Sequence, residues 1–174
     1  LSKARSISDI QHILRRQARR TEAGTWVLGH GWDQEKLEER RFPNRLDLDA
    51  AVPDRPTCIL RICRHVCVVN TAALRLANIT AETMLPTGGI IDRDDKTGEP
   101  TGVLRENGMN LALGLIPTRD DREVRRATSL AIKKTVEAGL TSVHCVVDQP
   151  QHVRVLQAMN RAGELKVRVY LLIT

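Results

Sequence analysis

The chain has 174 residues, 41% of them hydrophobic and 28% charged, which suits a soluble domain, or a piece of one, with its own core. No run approaches the roughly 20 apolar residues of a membrane span, so no membrane partner is expected. The net charge of +6 invites a nucleic-acid reading, but Arg15, Arg16, Arg19 and Arg20 share one predicted helix. With only Trp26, Trp32, Phe42 and Tyr170 as aromatics there is no stacking platform, and no nucleic-acid partner is expected.

In chain order, Ser8-Asp9-Ile10-Gln11 reads as a capping box, followed by Ile10, Ile13, Leu14 and Ala18 at helical spacing and Gly24 as a stop. Trp26 to His30 is a short predicted strand. Residues 32–56, with Pro43, Pro53 and Pro56, are expected to be loops with short helical turns. Cys58–Ile62 and Val66–Val69 are two apolar runs rich in β-formers, followed by a short helix from Thr71 to Asn78. Turn residues crowd 86–102 around a brief strand, Gly89–Asp92. A second strand, Thr101–Arg105, precedes a helix start over Glu106–Leu113.

The last third is patterned more strongly. Thr118 to Asp121 resembles an acidic helix cap, and Val124, Ala127, Ala131, Thr135 and Ala138 form one face closed by Gly139. Leu140–Val147 and Val167–Ile173 read as buried strands around a helix, Pro150–Ala162, which Asp148 could cap. Strand, helix and strand over about 33 residues make a βαβ unit, expected to be parallel. Leu1 stands where a natural start would have Met, and the sequence stops inside an apolar strand. A parallel strand is normally covered on both faces. The expectation is therefore a piece cut from an α/β barrel, self-associating through its truncated edge.

Several constellations could carry chemistry. Cys63-Arg-His65-Val-Cys67 could direct three metal ligands to one side of a strand, but three collinear ligands do not close a tetrahedron. A plain strand with buried thiols is the competing reading. The four cysteines sit in apolar sequence, which fits reduced thiols and a cytoplasmic setting. Trp32 and Asp33 could present an indole and an acid to a pocket, or could be a core residue and a helix cap. Glu106, beside Arg105, could belong to a surface ion pair, start a helix or line a pocket. His144 lies near the carboxyl end of a predicted parallel strand, the end that bears the active site in α/β barrels. It could equally be a satisfied core histidine.

Taken together, these segments resemble the YtcJ-like metal-dependent amidohydrolases (amidohydrolase family 3). The resemblance runs through Trp26-Val-Leu-Gly-His-Gly-Trp-Asp33, Arg45-Leu-Asp-Leu-Asp49 and Ala51-Val-Pro-Asp-Arg-Pro56. It continues in His65, Asn70, Ala73 and Leu74, in Gly88-Gly-Ile-Ile-Asp-Arg93, in Gly98-Glu-Pro-Thr-Gly-Val-Leu-Arg-Glu106 and in Gly139-Leu-Thr-Ser-Val-His144. Two positions depart from the pattern: Cys63-Arg64 precede His65 where the family has Asp-Gly, and Cys145 follows His144 where it often has Asp.

The resemblance implies an α/β protein, a fragment of a metal-dependent-hydrolase (β/α)8 barrel with about two parallel strands, plus a large α+β insertion subdomain. Residues 1–24 would be the helix after the first barrel strand, 25–117 the insertion, and 118–174 the βαβ piece with the second and third strands. It also implies hydrolysis of non-peptide C–N bonds in amide-like small molecules by metal-activated water. The divalent metal, zinc by expectation, would be held by residues outside these 174, so the fragment alone would bind none and be inactive. His65, Trp32, Asp33, Glu106 and His144 are the substrate-pocket candidates. A non-catalytic interaction or regulatory module is the alternative.

Overall fold

The computed structural model describes residues 1–147 and 149–173. The chain divides into two compact units, Leu1–Ile116 and Pro117–Thr174.

The first unit is built on five strands: β1 (Val27–Trp32), β2 (Thr57–Arg61), β3 (Val66–Val69), β4 (Gly89–Arg93) and β5 (Pro100–Glu106). Their order in the sheet is β1-β2-β3-β5-β4. β1 and β2 run parallel and the other neighbours antiparallel. Two apolar clusters cover the sheet. Ile59, Val68 and Val103 pack with α1 (Ile7–Ala18) and Leu48 of α2 (Arg45–Asp49). Cys58, Cys67, Val69 and Leu104 pack with α3 (Thr71–Leu76) and α4 (Asn110–Leu113). Successive strand residues point to opposite faces, so a strand buried on both sides reads as an unbroken apolar run. That is why Cys58–Ile62 and Val66–Val69 lack polar alternation.

Residues 1–24 share this core, since Ile7, Ile10 and Leu14 of α1 lie in the same cluster as Val27 and Trp32. The cap of α1 is Ser6, whose hydroxyl accepts from the Asp9 amide at 3.0 Å, and not Ser8. The buried stripe already begins at Ile7, which places the helix start two residues earlier than the Ser8 box. Arg55 closes the other end of α1, donating to the Ala18 carbonyl at 2.7 Å and the Glu22 carbonyl at 2.8 Å. Gly102 is required where β5 passes α2. Its φ is +92°, and a Cβ there would lie 2.3 Å from the Val69 carbonyl oxygen.

The second unit holds α5 (Asp121–Glu137), β6 (Ser142–Val147), α6 (Pro150–Arg161) and β7 (Arg168–Ile173), with β6 and β7 parallel. Asp120 caps α5 in a reciprocal box with Glu123. The core joins Val124 and Ile132 to Val155, Met159 and Val167, and Arg125 pairs with Glu164. The apolar face of α5 thus runs through Ile132. Ala127, Ala131 and Ala138, expected on that face, are exposed because α6 packs on the side of α5 that carries Val124, Thr128 and Ile132.

β6 and β7 are not fully buried as expected. One face packs on the helices, while Val146, Tyr170 and Leu172 are 65%, 63% and 41% exposed on the other. The capping role expected for Asp148 lies outside the described residues. Among the described residues no helix is long and apolar enough to cross a membrane.

Candidate functional site

The topology of the first unit sends several chain segments to one end of its sheet. β1 and β2 are parallel and finish there, the turn 62–65 follows, and β3 starts there. β5 runs back antiparallel to β3 and finishes there too. Asp33, His65 and Glu106 therefore share that end of the sheet.

Asp33 forms the cap of a short 3-10 turn, Gln34–Lys36, and pairs with Arg61 at 3.0 Å. Arg61 also donates to Gln34 at 2.7 Å, which ties the end of β1 to the end of β2. Trp32 is 1% exposed, and its indole N–H donates to the Ile59 carbonyl at 3.2 Å. It packs edge-on to Phe42, with centroids 5.5 Å apart. Of the two readings open for Trp32 and Asp33, core residue and cap describe what their side chains do in this chain.

His65 and Glu106 come together. Their backbones pair, with the Glu106 amide donating to the His65 carbonyl at 3.0 Å, and Nδ1 of His65 lies 2.9 Å from a Glu106 carboxylate oxygen. The two side chains are 68% and 53% exposed. A solvent-exposed pair of this kind adds little to stability, so stability does not account for it. Glu106 is also strained, at φ +49°. A non-glycine residue held in a sparsely populated region costs about 1–3 kcal/mol and marks sites where geometry matters more than stability.

The strain is held by close packing after Glu106. A Cβ on Gly108 would lie 2.4 Å from the Ile90 carbonyl, and Asn107 donates to the Thr87 carbonyl at 2.7 Å. Arg105, adjacent in sequence, turns away from Glu106. It grips Asp92 through two bonds of 2.8 and 2.6 Å and lies over the Phe42 ring, 4.8 Å from its centroid.

The Glu106 hydrogen bond and charge hold the His65 imidazole above its ordinary value, so the protonated form persists to higher pH. A raised histidine stabilises the fold fully below the unfolded value near 6.5, and that contribution is lost as pH rises through the higher folded value. Joined by Nδ1 to Glu106, the ring leaves Nε2 facing outward as a donor when protonated and an acceptor when neutral.

The three residues Cys63, His65 and Cys67 do not share one strand. Cys63 and His65 lie in the exposed turn and Cys67 in the buried β3. Among the described residues, no three His, Cys, Asp or Glu side chains converge in a metal-holding group. The described residues therefore do not fit a metal centre.

Cys63 is exposed, contrary to the expectation of buried thiols. Partial desolvation raises its thiol, but the His65 amide and Arg61 outweigh this and leave it below the ordinary value. For Cys67 the bond to the Cys58 thiol, together with burial, pushes the group well up. Iodoacetamide at neutral pH is expected to modify Cys63 first and to spare Cys58 and Cys67 until the protein unfolds. Peptide mass spectrometry showing equal labelling of Cys63, Cys58 and Cys67 in the folded protein would contradict this placement.

His144 belongs to the second unit, exposed and packed against Tyr170 with centroids 5.2 Å apart and the rings tilted by 46°. A groove of about 710 Å³ between α6 and β7 lies in that unit and is lined by residues such as Leu156, Asn160, Val169 and Leu171. It brings together none of the five candidates. The His65–Glu106 pair is the better chemical candidate.

The fold matches metal-dependent hydrolases of known structure. One crystal structure, of an uncharacterized metal-dependent hydrolase from Pyrococcus horikoshii OT3, superposes with a TM-score of 0.60 at 26% identity, covering 98% of this chain and 31% of that one. A model described as "Amidohydrolase family" matches residues 1–173, and the chain belongs to that family. A YtcJ amidohydrolase of Bacillus subtilis (strain 168) is 37% identical over 144 residues, 83% of this chain and 27% of the relative. An N-substituted formamide deformylase of Arthrobacter pascens is 30% identical over 165 residues, 92% of this chain and 30% of the relative. The chain thus spans under a third of the length of these relatives. The family implies a divalent metal.

Proposed function

We propose that the chain is the substrate-facing part of a metal-dependent hydrolase that cleaves non-peptide C–N bonds in amide-like small molecules. The observation that carries this reading is the exposed His65–Glu106 pair at one end of the sheet, with Glu106 kept in a strained backbone state. Membership of the family and the likeness to a deformylase acting on N-substituted formamides support the bond type. In this reading residues 118–174 supply two strands of a (β/α)8 barrel, and residues 25–117 are an insertion subdomain whose loops set specificity. We place the protein in the cytoplasm, consistent with four free cysteines.

The chain's own residues bind and orient. Glu106 fixes the imidazole through Nδ1, and Nε2 of the protonated ring donates a hydrogen bond to a substrate carbonyl. Asp33 and Arg61 brace the turn that carries His65. A divalent metal bound by the whole protein would supply an acidified water and polarise the carbonyl. We propose zinc for it, held by residues outside this chain.

The test uses a longer polypeptide that carries this chain, assayed against a panel of N-substituted formamides and N-acyl amines with and without a chelator. Chelator-sensitive cleavage is expected, together with no cleavage and no stoichiometric metal for the 174-residue chain alone. Failure of the longer protein to cleave any amide, or cleavage indifferent to chelation, would overturn the reading.

A further inference from the structure

Glu106 is a mobile kind of side chain on an exposed strand end, and nothing in its own contacts beyond His65 fixes it. Its neighbour is held far more firmly. Arg105 pairs across the sheet with Ile90 of β4 and Val66 of β3. Its guanidinium makes a two-point bond to Asp92 and lies over Phe42, which in turn packs edge-on to the buried Trp32. A planar fork bonded at two points and stacked on a ring has one orientation, unlike a single flexible ion pair. The chain from Trp32 through Phe42 to Arg105 therefore joins the core of the first unit to the residue just before the strained one.

We propose that Arg105, locked by Asp92 and Phe42, is a positioning residue that sets the end of β5 so that the Glu106 carboxylate stays on Nδ1 of His65. The proposal rests on the reading of His65 and Glu106 as the substrate-facing pair. Arg105 touches neither His65 nor a substrate; it acts through Glu106. If its ion pair served stability alone, loosening it would lower the unfolding midpoint and leave the imidazole unchanged.

The experiment is an NMR titration of the His65 ring in the 174-residue chain, with the signal assigned by a His65→Gln variant. Wild type is compared with Glu106→Gln, Asp92→Asn, Arg105→Lys and Arg41→Lys. The last loosens a comparable two-point pair, Arg41 with Asp47, at 2.6 and 2.9 Å; Arg41 also donates to the Phe42 carbonyl at 3.0 Å, a single bond that a lysine can also make. Cys63, Arg61 and Arg64, the other titratable or charged groups near His65 on its turn, are unchanged in every variant.

Glu106→Gln is expected to lower the His65 midpoint toward that of a free imidazole. Asp92→Asn and Arg105→Lys are expected to move it most of the same way, and Arg41→Lys to leave it in place. An unmoved midpoint in both Asp92→Asn and Arg105→Lys, beside a lowered one in Glu106→Gln, would overturn the positioning role and spare the pair. Equal movement in Arg41→Lys would also overturn it, as general loosening. An unmoved midpoint in Glu106→Gln would instead overturn the pair itself. If Asp92→Asn fails to fold, Arg105→Lys alone decides, because it keeps the charge over Phe42 and loses only the fork.

Discussion

Replacing Asn70 by alanine is expected to destabilise the first unit by about 3–5 kcal/mol, the largest loss from any single polar side chain there. Asn70 is fully buried and uses both ends of its amide. Its oxygen accepts from the Thr57 amide at 3.0 Å and, as the cap of α3, from the Ala73 amide at 3.0 Å. Its nitrogen donates to the Val52 and Arg55 carbonyls, each at 2.8 Å. Losing a helix cap costs about 1 kcal/mol, and each buried group left without a partner costs about 1–3 kcal/mol. Aspartate is no remedy, because it would turn an acceptor toward two carbonyls. Urea unfolding should show a large drop in midpoint for both Asn70→Ala and Asn70→Asp. A change below about 1 kcal/mol for Asn70→Ala would mean that the amide is not the hub described.

The second large effect concerns association. We propose that the chain alone self-associates through β6 and β7. A parallel pair is normally covered on both faces, yet Val146, Tyr170 and Leu172 stand exposed on one side and Ile173 is 73% exposed. Each strand also keeps one unpaired edge among the described residues. Covering even a few hundred Å² of apolar surface contributes about 25 cal/mol per Å², or several kcal/mol. Sedimentation is expected to show a concentration-dependent oligomer, shifted to monomer by Tyr170→Lys with Leu172→Lys. A stable monomer across micromolar concentrations, with the native sequence, would mean that the exposed face drives no assembly.

Much of this architecture can be read from the residues, and the limits are physical. β2, β3 and β5 were legible because short β-branched runs bounded by turns have few alternatives, and α6 because Pro150 and its apolar period agree. The approach of His65 to Glu106 was legible only through the family motifs, since 41 residues separate them. The bonds of Arg105 to Asp92 and Phe42 were not, because Arg105 is flanked by Glu106 and nothing local favours a partner 13 residues back. Trp32 shows the opposite limit: a tryptophan beside an acid suits a pocket as well as a core, and only packing on Phe42 and Ile59 separates them. The strands β6 and β7 have the composition of buried strands, but burial depends on what lies against them and not on composition.

Several motif residues prove to be structural. Asn70 is a buried hub, Arg55 closes α1, Asp47 completes a capping box with Asn44, and Asp49 accepts from Thr71 at 2.9 and 2.5 Å. His65 and Glu106 are set apart from these by exposure, and Glu106 also by its strained backbone.

The most direct test is therefore kinetic, in a longer polypeptide that carries this chain and cleaves an amide. His65→Ala and Glu106→Gln are each expected to lower kcat/KM by about 10²–10³-fold while bound metal and the unfolding midpoint stay at wild-type values. The double substitution should cost little more than either alone, because the two side chains act as one unit. Variants that keep kcat/KM within about twofold of wild type would contradict the account, leaving the pair as a surface contact.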